Sequence, residues 1–286
     1  MAEQNVLIVG LGLIGGSLAE GLTKLGFQVG ALTRSRSSVD YALQKGIICE
    51  GTTEPEAEFL GRWDLVIFSL YPHVFVEWIE KYQHLLKKGA VLTDVTGVKG
   101  RLVPKVQALL REDLEFVPAH PMAGREVYGV QNADASIFRG ANFIITPTGR
   151  NSEQAIGRIE ELARMLGFRK VSRLSLEEHD EMIGFLSQLT HCIAVTLMDC
   201  KESAHMVDYT GDSFRDLTRI ARIDETMWSE LFLLNKDALL HQMKLFTMEF
   251  SKLERMLMEA DKEGIKDMMR RSTARRKLFD KEKTEE

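Results

Sequence analysis

The sequence is poor in cysteine, and none of its three cysteines stands in a C-x-x-C pair. This excludes a disulfide scaffold and a cysteine zinc site, and it favours a reduced, cytoplasmic setting with the thiols as small core residues. The sequence contains no H-E-x-x-H motif and no carboxylate array, so nothing in it indicates a metal site. It also lacks a G-x-S-x-G motif, so nothing indicates a serine hydrolase. We therefore expect neither a bound metal nor a nucleophilic serine.

An excess of positive charge and a long apolar run are also lacking. The 37 basic and 42 acidic residues leave a net charge of −5, so we expect no nucleic-acid partner. No apolar run approaches the roughly 18 residues of a membrane helix and no signal peptide precedes the first strand, so we expect no membrane partner. A length of 286 residues favours two domains in an ordinary globular chain.

The first apolar segment, residues 6–9, runs into a glycine-rich turn and then an amphipathic stretch. The glycines have the G-x-G-x-x-G spacing of a dinucleotide site, in which they allow a sharp turn, close approach of a pyrophosphate and tight helix packing. The helix N-terminus would attract the phosphates. A plain strand-to-helix turn is the alternative. We expect the cofactor to contact Gly10, Gly12, Leu13, Ile14 and Gly15.

The end of the second predicted strand, 27–32, indicates which dinucleotide is bound. An acid there holds the ribose of NAD, whereas arginines hold the 2′-phosphate of NADP. The segment over 33–38, directly after this strand, has two arginines, and no carboxylate occurs before Asp40. This favours NADP, with NAD as the alternative. The expected contacts are Thr33, Arg34, Ser35, Arg36 and, at the end of the following strand, Ser69.

Short aliphatic strands alternate with helices through the first 174 residues. This alternation predicts a Rossmann-type, doubly wound and mostly parallel sheet. The strands beyond the second are predicted over 64–70, 90–94, 115–119, 141–146 and 169–171. From 175 to 286 there is no proline, and apolar residues recur at helical spacing over 182–198, 226–257 and 264–279. The fold class is therefore α/β plus an all-α domain, whose long apolar faces are typical of a dimer interface.

Two segments after predicted strands contain groups suited to chemistry. His120 follows the strand over 115–119, at the edge where ligands of open sheets bind, and a neutral imidazole there can accept a hydroxyl proton. A turn histidine bonded to backbone is the alternative. Thr96 lies in the turn over 94–100 and either meets the nicotinamide or caps a helix.

The helical part contributes further candidates. His191 lies on a largely apolar helix, where a buried, hydrogen-bonded histidine is the usual case. Arg219 belongs to a polar segment over 208–219 and could bind a carboxylate with two parallel hydrogen bonds. A surface ion pair with Asp216 is the alternative for Arg219.

Together these segments resemble the prephenate/arogenate dehydrogenase family. Residues 10–17, 120–124, 178–180 and 214–221 occur in family order, followed by Met227, Trp228 and Asn235. The resemblance implies a homodimer with a Rossmann domain and a helical dimerisation domain, without a regulatory ACT domain. It also implies oxidative decarboxylation, which makes 4-hydroxyphenylpyruvate from prephenate or tyrosine from arogenate.

The resemblance also implies roles for single residues. His120 corresponds to the catalytic histidine that bonds the ring hydroxyl, and His191 to the histidine near the substrate side chain. Arg219, supported by Asp216, corresponds to the arginine that holds a carboxylate. Glu126 matches an acid of the active-site loop and Trp228 a nearby aromatic residue.

The sequence departs from the family at two places. Thr96 and Gly97 stand where many members have glycine and serine, so Thr96 is the candidate replacement for the serine hydroxyl. Arg125 stands where many members have threonine or serine, and this extra cation favours prephenate, which lacks the ammonium group of arogenate.

Two other functions remain open from the sequence. A β-hydroxyacid or imine reductase shares the plan of a Rossmann domain with helices, but it would use a lysine of the helical domain and leave Arg219 incidental. A non-catalytic NADP-binding sensor would need neither His120 nor Arg219.

Overall fold

A computed structural model describes residues 5–202 and 205–279. The N-terminal part forms a six-stranded, fully parallel sheet in the order β3-β2-β1-β4-β5-β6. This confirms the predicted α/β class and the Rossmann strand order. The strands are β1 (Asn5–Val9), β2 (Gln28–Leu32), β3 (Glu50–Thr52), β4 (Leu65–Phe68), β5 (Val91–Asp94) and β6 (Glu115–Val117).

Helices cover both faces of this sheet. They are α1 (Leu13–Lys24), α2 (Arg36–Gln44), α3 (Ala57–Leu60), α4 (Pro72–Tyr82), α5 (Leu102–Leu109) and α6 (Glu153–Met165). Alternate residues of β1 and β4 belong to two separate apolar clusters, so the strands are buried on both sides. The strand order reverses between β1 and β4, and ligands bind in the crevice at the carboxyl ends of such a pair.

A second, three-stranded sheet was not predicted, so the expectation that the strands over 141–146 and 169–171 complete the main sheet is wrong. It consists of β7 (Ala119–Met122), β8 (Asn142–Ile145) and β9 (Lys170–Arg173), with β7 antiparallel to β8. The expectation that His120 follows a strand of the main sheet is therefore wrong: His120 lies within β7, opposite Ile144. Pro118 separates β6 from β7, because proline has no N–H group with which to continue a ladder.

The segment after Ser175 is helical, as predicted, and no strand follows Arg173 in the part of the chain that the structure describes. Its first helices are α7 (Leu176–Ile183), α8 (Leu189–Asp199), α9 (Asp212–Thr218) and α10 (Glu225–Leu234), with a π-helical turn over Gly184–Gln188. The predicted helix over 226–257 is interrupted at Asn235. Its amide donates to Asp180 O at 2.8 Å and to Gln188 Oε1 at 2.7 Å.

The helical run Leu176–Asp199 corrects the expectation that no apolar segment reaches membrane-spanning length. It has 24 residues, and an 18-residue window has a mean hydropathy of 1.3. One such helix is weak evidence for a membrane span, since core helices pass the same test. Only 28% of that window is buried, but His179, Asp180 and Gln188 are buried and hydrogen-bonded within the fold.

The chain divides into two compact units after Lys236, so the predicted domain boundary at 174/175 falls inside the first unit and stays a prediction. The second unit contains α11 (Lys236–Met258) from Asp237 onward, α12 (Lys262–Arg276) and a short 3₁₀ turn, Lys277–Phe279. Many of its large apolar side chains are exposed, including Leu240, Phe246, Met248, Phe250 and Met258.

The expectation that the three cysteine thiols are small core residues is wrong. Cys49 and Cys200 are exposed and Cys192 is half-buried. Cys49 lies in the loop before β3, and its thiol donates to Val29 O at 3.2 Å. Cys200 lies at the C-terminus of α8, so neither exposed thiol belongs to an apolar core.

Candidate active site

The glycine turn between β1 and α1 is closed on one side and open on the other. Gly10 has φ +99°, and a Cβ there or at Gly15 would approach backbone oxygen closer than 3.0 Å. A Cβ at Gly12 would meet nothing within 4 Å. Gly12 is the N-cap of α1 and provides no side-chain cap to the first-turn amides. The turn therefore fits a dinucleotide, whose pyrophosphate could approach the open side and the helix N-terminus.

The polar segment after β2 lies at the same edge of the sheet, because β2 is parallel to β1. Ser35 caps α2 by accepting a hydrogen bond from Ser38 N at 3.3 Å. Arg36 begins α2 and forms an exposed ion pair with Asp40 at 2.9 Å. Arg34 is exposed, and of the two arginines it is the one not held along the α2 surface.

A cavity of about 630 Å³ joins the glycine turn to β7 and to helices α7, α8 and α10. It brings together ten predicted site residues, which are Gly12, Leu13, Ile14, Ser69, Thr96, His120, Arg125, Glu126, His191 and Trp228. Within the described residues, its lining omits the other eight, which are Gly10, Gly15, Thr33, Arg34, Ser35, Arg36, Asp216 and Arg219.

His120 lines this cavity and bonds to a second histidine behind it. Its Nδ1 lies 3.0 Å from Nε2 of His179, which is fully buried. His179 Nδ1 lies 2.7 Å from Asp180 Oδ1. Burial lowers the pKa of His120 well below its ordinary value, and the positive charge of Lys99 acts in the same direction. His120 is therefore neutral near pH 7 and able to accept a proton.

Lys99 is a fully buried cation beneath His120. Its Nζ donates to Asp94 Oδ2 at 2.6 Å, to Ala119 O at 2.6 Å and to Thr96 Oγ1 at 3.1 Å. The Thr96 hydroxyl in turn donates to Asp94. Thr96 is therefore bound into this network, and the alternative that it caps a helix is wrong, since Arg101 is the N-cap of α5.

His191 faces the cavity from α8. Its Nδ1 donates to Ser187 O at 2.9 Å, which leaves Nε2 of the neutral ring as an acceptor. The ring stacks on Trp228 with a centroid distance of 3.7 Å and an interplanar angle of 29°. Burial lowers the pKa of His191. His191 can therefore accept a hydrogen bond from a ligand that reaches this end of the cavity.

Charged groups surround the cavity mouth. Arg219 forms an ion pair with Glu126, so the alternative of a surface ion pair between Arg219 and Asp216 is wrong. Partial burial is the largest single influence and would raise the pKa of Glu126, but the hydrogen bond and charge of Arg219, together with a backbone hydrogen bond, lower it overall. Arg125, expected as an extra cation beside His120, is paired with Asp134 at 2.7 Å. Glu126 is far from Arg219 in sequence, and Arg125 and Asp134 lie in an irregular loop. Helical spacing therefore predicts neither ion pair.

Sequence reasoning missed several residues of this site. His179 and Asp180 belong to a segment that was quoted for the resemblance but given no role. A signal was present only for Ser187, which is four residues before His191 and therefore lies on the same helix face. Arg222 also lines the cavity. Lys99 had no such signal, because lysines are almost never fully buried.

A glycine turn at the switch point of a parallel sheet, with a neutral histidine in the adjoining cavity, defines a class of protein. This class comprises the oxidoreductases that use a nicotinamide dinucleotide and have a Rossmann domain and a helical domain. Comparison with known families agrees: residues 18–172 match the nucleotide-binding domain of prephenate dehydrogenase, and residues 175–271 match its dimerization domain. The chain belongs to the prephenate dehydrogenase family.

Individual relatives give the same result. The structure of prephenate dehydrogenase from Aquifex aeolicus, solved with hydroxyphenyl propionate and NAD+, is 30% identical with a TM-score of 0.90, and the match covers 98% of this chain and 99% of that one. Prephenate dehydrogenase of Lactococcus lactis is 29% identical over 92% of this chain and 73% of its own length. Cyclohexadienyl dehydrogenase of Zymomonas mobilis is 28% identical over 90% of both chains.

The buried ion pair gives a stability prediction. Lys99→Met keeps the side-chain volume but leaves Asp94 buried without its cation, so the free energy of unfolding should fall by about 3–5 kcal/mol. Lys87→Met removes the exposed partner of Asp64 and should cost less than about 1 kcal/mol. Urea unfolding measures both, and equal stabilities of the two variants would contradict the role assigned to Lys99.

Proposed function

We propose that the chain catalyses the NADP-dependent oxidative decarboxylation of prephenate to 4-hydroxyphenylpyruvate. The observation that supports it best is the neutral His120 in the cavity that continues from the glycine turn. The Aquifex aeolicus relative binds NAD+ and hydroxyphenyl propionate, a ligand with the hydroxylated ring and carboxylate expected of such a product.

The protein contributes one group that holds the hydroxyl proton transiently while the hydride leaves. When bound, the nicotinamide accepts a hydride from the ring carbon that bears the hydroxyl group. The bond from the ring to its carboxylate breaks, carbon dioxide leaves, and the released electron pair completes the aromatic ring. The hydroxyl proton passes to Nε2 of His120 as the hydride leaves, and it returns to the ring oxygen once the ring is aromatic, because the product keeps its hydroxyl group. Because aromatisation drives the reaction, the residues mainly need to orient the ring and hold this proton.

Other residues in the cavity and at its mouth would bind the rest of the substrate. His191, stacked on Trp228, is suited to a polar group of the substrate side chain. Arg219 would exchange Glu126 for a substrate carboxylate, since both are planar partners for a guanidinium. Thr96 would act through the network beneath His120, because its hydroxyl bonds to Asp94.

Charge favours prephenate over arogenate. Among the residues that the structure describes, the charged side chains that line the cavity are Arg125, Arg222 and Glu126, two guanidinium groups against one carboxylate. Prephenate has two carboxylates and no ammonium group, so it complements this excess of positive charge better than arogenate does. Arg125 contributes less than the sequence indicated, because Asp134 neutralises part of its charge.

We further propose that the protein is a cytoplasmic homodimer. The exposed apolar side chains of α11, among them Leu240, Phe246 and Phe250, form a surface that a second copy could cover. The match of residues 175–271 to a dimerization domain supports this assembly.

His120→Asn tests the proposed chemistry. The variant should fold and bind NADP normally but lose about 10²–10⁴-fold in kcat, since it lacks the proton acceptor. In the unmutated enzyme, protonation of His120 should abolish activity as the pH falls through its lowered pKa, so the acidic limb should lie below the ordinary value of about 6.5. This limb should vanish in the variant. His84→Asn, at an exposed position, is the control. A His120→Asn enzyme with near-normal kcat would contradict the proposal.

Arg34→Ala tests the cofactor assignment. Initial rates with prephenate and arogenate, each crossed with NADP and NAD, should give the highest kcat/KM for prephenate with NADP. Loss of a charge-assisted phosphate contact should reduce kcat/KM for NADP by about ten- to a hundredfold and leave NAD unaffected. Arg36→Ala should have less effect because Arg36 is paired with Asp40. Equal or better use of NAD by the unmutated enzyme would overturn the NADP assignment.

Arg219→Ala tests the carboxylate site. A carboxylate contact is present in both the ground and the transition state, so KM for prephenate should rise at least tenfold while kcat changes little. Arg215→Ala, which removes an exposed arginine of the same segment paired with Asp212, should leave KM unchanged. An unchanged KM in Arg219→Ala, with a raised KM in Arg222→Ala, would transfer this role to Arg222.

A further inference from the structure

The buried pair behind His120 consists of His179 and Asp180, and two backbone amides fix the Asp180 side of it. The Asp180 carboxylate accepts hydrogen bonds from Lys99 N at 2.9 Å and from Gly100 N at 2.7 Å. A Cβ at Gly100 would lie 2.9 Å from Asp180 Oδ2, so this close approach depends on glycine. The carboxylate is thereby held in one orientation as an acceptor, with Oδ1 2.7 Å from His179 Nδ1.

The protonation pattern then follows along the chain of hydrogen bonds. Because Asp180 accepts, His179 must donate from Nδ1, and Nε2 of the neutral ring is an acceptor. His179 is fully buried, and burial lowers its pKa, which favours this neutral form. His120 must therefore donate from Nδ1 across the 3.0 Å contact. The nitrogen left with a lone pair is Nε2 of His120, the one that does not face His179.

We propose that His179, held by Asp180, is a positioning residue that keeps His120 in the Nδ1-protonated tautomer, so that Nε2 is available as the proton acceptor. Without this pair, His120 could also adopt the opposite tautomer, in which Nε2 carries a proton and accepts none. The same bond fixes the plane of the His120 ring. This inference rests on the proposed function, in which His120 accepts the hydroxyl proton.

The test compares two replacements of His179. His179→Gln has a side-chain oxygen that can accept the Nδ1 proton of His120, whereas His179→Leu has none. We expect His179→Leu to lose about ten- to a hundredfold in kcat, with unchanged KM for prephenate and unchanged dissociation constant for NADP. His179→Gln should recover most of the lost kcat. Thermal unfolding of both variants measures whether the fold is retained.

Asp180→Asn changes the other residue of the same pair. It tests the proposal if His179→Leu does not fold. Its amide group can donate to His179 Nδ1 and so reverse both tautomers, which should lower kcat while KM is maintained. Glu181→Gln, at the exposed neighbouring position, is the matched control and should behave as the unmutated enzyme.

The possible failures are distinguishable. If the unmutated enzyme converts neither prephenate nor arogenate, the proposed function is wrong. If it is active and the folded His179→Leu and Asp180→Asn variants keep normal kcat, the positioning role is wrong. Equal loss in His179→Leu and His179→Gln, with raised KM and lowered thermal stability, would show that His179 only supports the fold.

Discussion

The buried ion pair between Lys99 and Asp94 is the interaction on which the site depends. A fully buried ammonium group is stable only when its charge and its three donors are satisfied, and Asp94, Thr96 and the Ala119 carbonyl satisfy them. These contacts tie the carboxyl end of β5 to the first residue of β7. His120 follows directly, so its place beside the glycine turn is set by this pair.

The site combines a dry interior with a charged mouth. Behind His120 the polar groups are buried and mutually bonded, and burial keeps the imidazole neutral. At the mouth, Arg219, Glu126, Arg125 and Asp134 are exposed enough to exchange partners with solvent or ligand. This division suits a reaction that needs a fixed proton acceptor and reversible binding of an anion.

Sequence patterns predicted those parts of the molecule that depend on neighbouring residues in the chain. The glycine turn, the buried parallel strands and the helical domain follow from residue periodicity and backbone sterics, and the structure confirms them. The second sheet could not be predicted, because an apolar strand pattern does not specify its partner strand. Contacts such as Arg219 with Glu126, and Lys99 N with Asp180, join residues far apart in sequence. They depend on the completed fold.

The central claim is that the fold presents Nε2 of His120 as a neutral acceptor, and ¹⁵N NMR of the histidine rings tests it most directly. The enzyme is labelled with ¹⁵N-histidine, and the His120 signals are assigned by their loss in His120→Asn. At pH 7 the account predicts a protonated Nδ1 and an unprotonated Nε2 in His120 and in His179 alike. A proton on Nε2 of His120, or protonation of both its nitrogens, would contradict the account.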